Sequence, residues 1–143
     1  DLSELDDQQR LFITGHWSAA NATTARTVRC NELTVTIPVA RRLPLIACKL
    51  HAWLDRRDTR ADKRGSDGLD IIRLLETADI DALARDADVV PGLRLAVAWA
   101  AHEVLVEQAA RVSRMIQLHT ETQSIDIDTT EALGSMLLEA LEP

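Results

Sequence analysis

Aromatic side chains make up only 3% of this 143-residue chain, and it holds just five glycines and four prolines. So few turn residues, in a composition that is 46% apolar and dominated by Ala, Leu, Val and Ile, argue against a many-turned β architecture and for packed helices. There are two cysteines, Cys30 at an expected strand end and Cys48 on an expected helix. They are too sparse for a disulfide framework and fit a reducing, cytoplasmic setting. No run of 18 apolar residues is present, and the opening DLSELDDQQR is acidic, so neither a membrane span nor a signal peptide is expected. His16, His51, His102 and His119 lack the spacing of zinc ligands, and no phosphate-binding glycine loop occurs. Asp126-Ile127-Asp128 has the look of a two-metal carboxylate pair. It has no glycine-serine loop before it and reads as chance spacing, so the sequence identifies no metal site.

What is present is charge in one place. Residues 41 to 73 carry nine of the sixteen basic side chains against five acids, a local charge of +4, while the rest of the chain is at −11. The net charge of −7 excludes a nucleic-acid face spread over the whole surface, because phosphate binding is driven by basic groups that release counterions. Any such contact must be local. The length suits a single domain, 1–143, with a strand-rich segment at 11–40 and a helical segment at 41–143, a mainly helical α+β fold.

The chain in order supports that division. Residues 1–11 are weakly helical and end at a Gly15-His16-Trp17 break. TARTVRC and LTVTIPVA alternate β-branched and polar residues around a tight turn at Cys30-Asn31, which predicts a hairpin of 23–30 with 33–37. Pro38, unable to donate to a ladder, should end the second strand or lie at an edge. Leu43, Ile46, Ala47, Leu50 and Leu54 then predict a helix over 43–57, with Pro44 in its first turn. Lys49, Trp53 and Arg56 share a flank that the apolar stripe does not need, either a solvated flank with Trp53 half-buried or an anion-facing surface. Residues 58–64 read as a charged loop, and Ser66 as the cap of a helix over 67–76, whose inward side is Leu69, Ile72 and Leu75. Asp67 and Asp70, one turn apart, project to one side. Acids in a first helical turn are also favoured by the helix dipole, with no chemistry implied. A short helix at 79–87 follows, then a long alanine-rich helix over 93–116 packed against helix 43–57 and open to a partner. A polar connector at 119–128 leads into a last amphipathic helix capped by Thr129 or Thr130.

The run LTVTIPVARRLPLIACKLHAWLDRR, continued by KRGSDGLDIIRLL, resembles the C-terminal part of the nucleotidyltransferase-fold proteins of the AbiEii/AbiGii toxin family, whose members include mycobacterial toxins of toxin-antitoxin systems. The resemblance covers roughly residues 11–76, with the later helices similar only loosely. It rests on a strand leading into a helix with lysine in an A-x-K-L-x-A setting, then an arginine, a charged loop, and a helix opening D-x-x-D. Those positions are Ala47, Lys49, Leu50, Ala52, Arg56 or Arg57, and Asp67 with Asp70.

The resemblance implies nucleotidyl transfer from an NTP, with Mg2+, to a tRNA or other RNA acceptor. Lys49, Asp67 and Asp70 would be the catalytic residues, and Lys49, Arg56 and Arg57 would bind the nucleotide phosphates. Lys49 would neutralise the triphosphate, and one aspartate would act near the acceptor hydroxyl or support the site; the spacing does not choose between Asp67 and Asp70. An antitoxin protein, an N-terminal half, or a second copy of the chain are the implied protein partners. The family's glycine-serine loop and metal-binding D-x-D, which belong upstream of the hairpin, are absent. With Asp1 in place of a starting Met, this favours a fragment that is inactive alone. The alternative is a non-catalytic helical interaction module, or a degenerate nucleotidyltransferase. On the transferase reading Lys49→Ala removes activity and leaves the melting temperature nearly unchanged. On the module reading polar substitutions at Val97 or Val104 weaken a complex.

Overall fold

A computed structural model describes residues 2–56, 61–120 and 123–143, and the side chains of all of these except residues 61 and 62. The fold is α+β and 69% helical, with one antiparallel hairpin. After a short 3-10 turn at Leu2–Glu4 come α1 (Asp7–Asn21), β1 (Thr23–Cys30), β2 (Leu33–Ala40), α2 (Arg42–Asp55), α3 (Ala61–Glu76), α4 (Ile80–Asp86) and α5 (Leu93–Ala101). A π-type turn at His102–Val106 then leads to α6 (Ala109–His119) and α7 (Ile127–Ala140).

The first expectation to fall is the break at Gly15-His16-Trp17. These residues lie inside α1, so the strand-rich segment is Thr23–Ala40 and not 11–40. The helix is started instead by a capping box, in which Asp6 accepts from the Gln9 amide at 2.7 Å and the Gln9 side chain accepts from the Asp6 amide at 3.1 Å. Gly15 sits where a Cβ would come within 3.1 Å of Ala47 Cβ, so its small size serves the contact of α1 with α2.

The hairpin forms, with its turn at Asn31-Glu32 instead of Cys30-Asn31 and its second strand running past residue 37 to Ala40, so that Thr23 lies opposite Ala40 and Cys30 opposite Leu33. Asn31, at φ 54°, supplies the left-handed residue that its two-residue turn needs. Pro38 does not end β2. It lies opposite Ala25, which is tolerated because each strand of a two-stranded ribbon is an edge.

The helices enclose one core. Leu43, Ile46, Ala47 and Leu50 of α2 are fully buried, with Leu54 only partly so. α2 contacts α1 on one side and α3 on another, and α3 contacts α6. Leu69, Ile72 and Leu75 point into this core, as does Ile71. The long helix expected over 93–116 is two helices joined through the π-type turn, where the Glu107 amide donates to the His102 carbonyl. Its apolar sides are filled from within the chain, by α1, α2, α3 and α7. Val97 and Val104 are fully buried, so substitutions there test the core of this chain and not a partner surface. Finally, α7 is capped by Asp126 and not by Thr129 or Thr130: the Asp126 carboxylate accepts from the Thr129 amide at 2.7 Å, and a hydrogen bond from the Thr129 side chain, together with that amide, holds its pKa below the usual value.

Candidate functional site

The residues singled out on α2 and α3 converge. Lys49 faces α3 and donates to Asp67 Oδ1 at 3.2 Å, and its Nζ lies 2.8 Å from Asp70 Oδ2. Arg56 Nε, two turns further along α2, takes the other Asp67 oxygen, Oδ2. Asp67 is 4% exposed and accepts from two cations, while Asp70 keeps one oxygen outside this pairing and a side chain 38% exposed. The hydrogen bond to Asp70, followed by Asp67, raises the Lys49 pKa above its usual value, against an opposing effect of burial.

The reason these groups meet lies in a helix boundary that the sequence did not reveal. α3 begins at Ala61, so Lys63 and Arg64 belong to a helix and not to a charged loop, and Ser66 is an interior residue and not a cap. Asp67 is therefore two turns into α3, where the dipole of the helix start has little hold on it. Arg57, named with Arg56 as a phosphate-binding candidate, lies outside the described residues, as do positions 58–60 of the expected loop.

Trp53 is fully buried, which removes the half-buried reading of the α2 flank. Its ring packs under α3 at Gly68, where a Cβ would stand 3.0 Å from the indole. Arg64 closes this corner. It is 6% exposed, its guanidinium lies 5.3 Å from the indole centroid, and it donates to the carbonyls of Trp53, at 3.0 and 3.2 Å, and of Arg56. Arg64 thus ties the C-terminal end of α2, which carries Arg56, to α3, which carries Asp67. Sequence reasoning missed it by placing it in a loop. The signal was there in the three-residue spacing of Arg64, Asp67, Asp70 and Arg73, one helical face.

Beside the cluster is a cavity of about 330 Å3 lined by Leu45, Lys49, Asp70, Arg73 and Leu74. Of the three candidate catalytic groups, Lys49 and Asp70 line it and Asp67 supports them from behind. Arg73 donates to Gln123 Oε1 at 2.8 Å. The neighbouring Cys48 thiol is pushed up by burial and is not an activated nucleophile.

The residues present do not fit a magnesium ion. Both Asp67 oxygens accept from cations, one Asp70 oxygen faces Lys49, and no group of three or more metal-ligating side chains stands together among the described residues. Comparison with protein-family models, with curated proteins and with solved structures finds no match to this chain.

Proposed function

We propose that this chain is the lysine- and aspartate-bearing part of a nucleotidyltransferase that moves a nucleotide from an NTP to an RNA acceptor, with the toxin-antitoxin setting that its resemblance implies. One observation carries the reading. Lys49 stands within 2.8 Å of Asp70 and 3.2 Å of Asp67 at the wall of an open cavity, although 18 or more residues separate it from either in sequence.

In this reading the acceptor hydroxyl oxygen bonds to the α-phosphorus, the bond from that phosphorus to the bridging oxygen breaks, and pyrophosphate leaves with the electron pair. The hydroxyl proton passes to Asp70, the carboxylate that lines the cavity. Lys49 turns from Asp70 to a phosphate oxygen and neutralises its charge. Asp67, held by Arg56, keeps its own contact to the Lys49 ammonium. No step is assigned to a metal, since these residues do not hold one; a metal-binding part of the site would have to come from elsewhere.

The test is incubation of the native protein, with any chain it is expressed with, with α-labelled NTPs and a tRNA pool. Label should enter RNA, and Lys49→Met should lower the rate by roughly a hundredfold while the protein stays folded by circular dichroism. No incorporation by the native protein would sink the reading.

A second reading, a non-catalytic interaction module, is favoured by the hairpin and not by the helix first considered for it. Val28, Leu33, Val35 and Ile37 share one face of the ribbon and are between 41% and 65% exposed. A native protein without transferase activity that binds a protein partner through this face would support it.

A further inference from the structure

A second basic cavity lies apart from the one beside Lys49. It measures about 530 Å3 and lies where the base of the hairpin meets α2, α3 and α4. Four guanidinium groups line it: Arg26 from β1, Arg41 and Arg42 from the start of α2, and Arg85 from α4. In a chain of net charge −7 this is an unusual concentration of positive charge.

Two carboxylates, Asp79 and Asp86, also line the cavity, and both are engaged. Asp79 caps α4, accepting from the amides of Asp81 at 3.0 Å and Ala82 at 3.4 Å. Asp86, largely buried, accepts from Arg41 at 3.4 Å. Arg26, Arg42 and Arg85 have no carboxylate partner among the described residues. Arg42 goes further: its Nη1 is buried and donates to no acceptor. A buried charged donor without an acceptor is costly, and an anion in the cavity that Arg42 lines would offset the charge of its guanidinium. The start of α2 adds to the field. It has no side-chain cap and no acid in its first turn, so its positive end is left uncompensated, and its first residues line the same cavity.

We propose that this cavity is a phosphate-binding site for a phosphate ester, that of an RNA strand or of a free nucleotide. Planar guanidinium forks match the tetrahedral oxygens of phosphate, and several can share one group. The volume admits a phosphate with the groups attached to it. No aromatic ring lines the cavity, so recognition is of the phosphate and not of a base. Leu45 and Leu74 line both this cavity and the one beside Lys49, so a ligand held here lies next to that site. The assignment goes beyond the transferase reading and stands without it, because binding needs no transfer chemistry.

The test is binding of three probes to the full chain: inorganic phosphate, followed by the arginine Nε–H signals in NMR, and ATP and a labelled single-stranded RNA, followed by anisotropy. Phosphate should shift the Arg42 signal. Arg42→Gln should weaken RNA or ATP binding about tenfold or more and lower the salt slope for RNA by about 0.7. Lys49→Met should leave the phosphate-induced shift of Arg42 in place, which separates this site from the transferase reading. Tighter binding of RNA than of ATP assigns the phosphate to a strand, and the reverse assigns it to a nucleotide; both support the site. If Arg42→Gln fails to fold, the double variant Arg26→Gln with Arg85→Gln, at two exposed positions, carries the same expectation. Unchanged binding in the folded variants overturns the proposal. So does competition by poly-glutamate when phosphate leaves the arginine signals unmoved, which would make the cavity a site for acidic peptides.

Discussion

Asp67 and Asp70 are chemically identical and three residues apart, yet their surroundings assign them different work. Asp67 is 4% exposed and takes Lys49 and Arg56 on separate oxygens, whereas the Asp70 side chain is 38% exposed and shares only Lys49. Removing the Asp67 charge leaves two cations without their buried partner, so Asp67→Asn should cost about 2–4 kcal/mol. Asp70→Asn breaks a half-exposed pair and should cost about 1 kcal/mol or less. Urea unfolding of the two variants checks this, and equal losses would refute the division. Lys49 itself is no free surface residue, which revises the expectation that Lys49→Ala leaves the melting temperature nearly unchanged. Because the folded state raises its pKa, its contribution is fully present below about pH 10.4 and disappears as pH climbs through the higher folded value. The stability gap between wild type and Lys49→Met should narrow in that alkaline window.

At the level of elements, the position of α3 depends on a glycine. A Cβ at Gly65 would fall against the Met115 carbonyl oxygen and within 2.6 Å of His119 Cβ, so α3 and α6 approach backbone to backbone here. Gly65→Ala should force the helices apart at a cost of about 1–3 kcal/mol. The shift also moves Arg64 from its hold on Trp53, so near-ultraviolet circular dichroism of the indole should change with it. An alanine variant with unaltered stability would show that the two helices have room to give. Much at this scale was legible beforehand. The β-branched alternation of 23–37 is a local signal and produced the hairpin, and the stripe from Leu43 to Leu54 produced α2. The first turn of α3 was not legible, because Asp62, Lys63 and Arg64 offer no apolar periodicity and Gly65-Ser66 has the local chemistry of a helix start. The burial of Arg64 against Trp53, which joins that turn to α2, is a contact between residues on different helices.

Over the whole molecule, the helices share one core and the hairpin stands largely outside it. Residues 25–38 are all exposed, with β2 touching α1 and the Arg41 amide donating to the Ala22 carbonyl at the ribbon's base. A two-stranded ribbon with little tertiary support is marginal by itself. Hydrogen exchange should therefore protect α2, α3 and α5 to the level of global unfolding, and β1 and β2 far less. Equal protection would mean that something covers the ribbon in solution.

The sequence by itself determined the fold class, the hairpin and the course of α2, because each is written in composition or local periodicity. Only the tertiary structure decided that Lys49 meets Asp67 and Asp70, which aspartate is buried, that Arg56 and Lys49 divide its two oxygens, and that Arg42 lines a cavity while its buried Nη1 has no acceptor. Those outcomes depend on how α2, α3, α4 and the hairpin base are brought together, and a charged side chain does not reveal in sequence which neighbour will neutralise it.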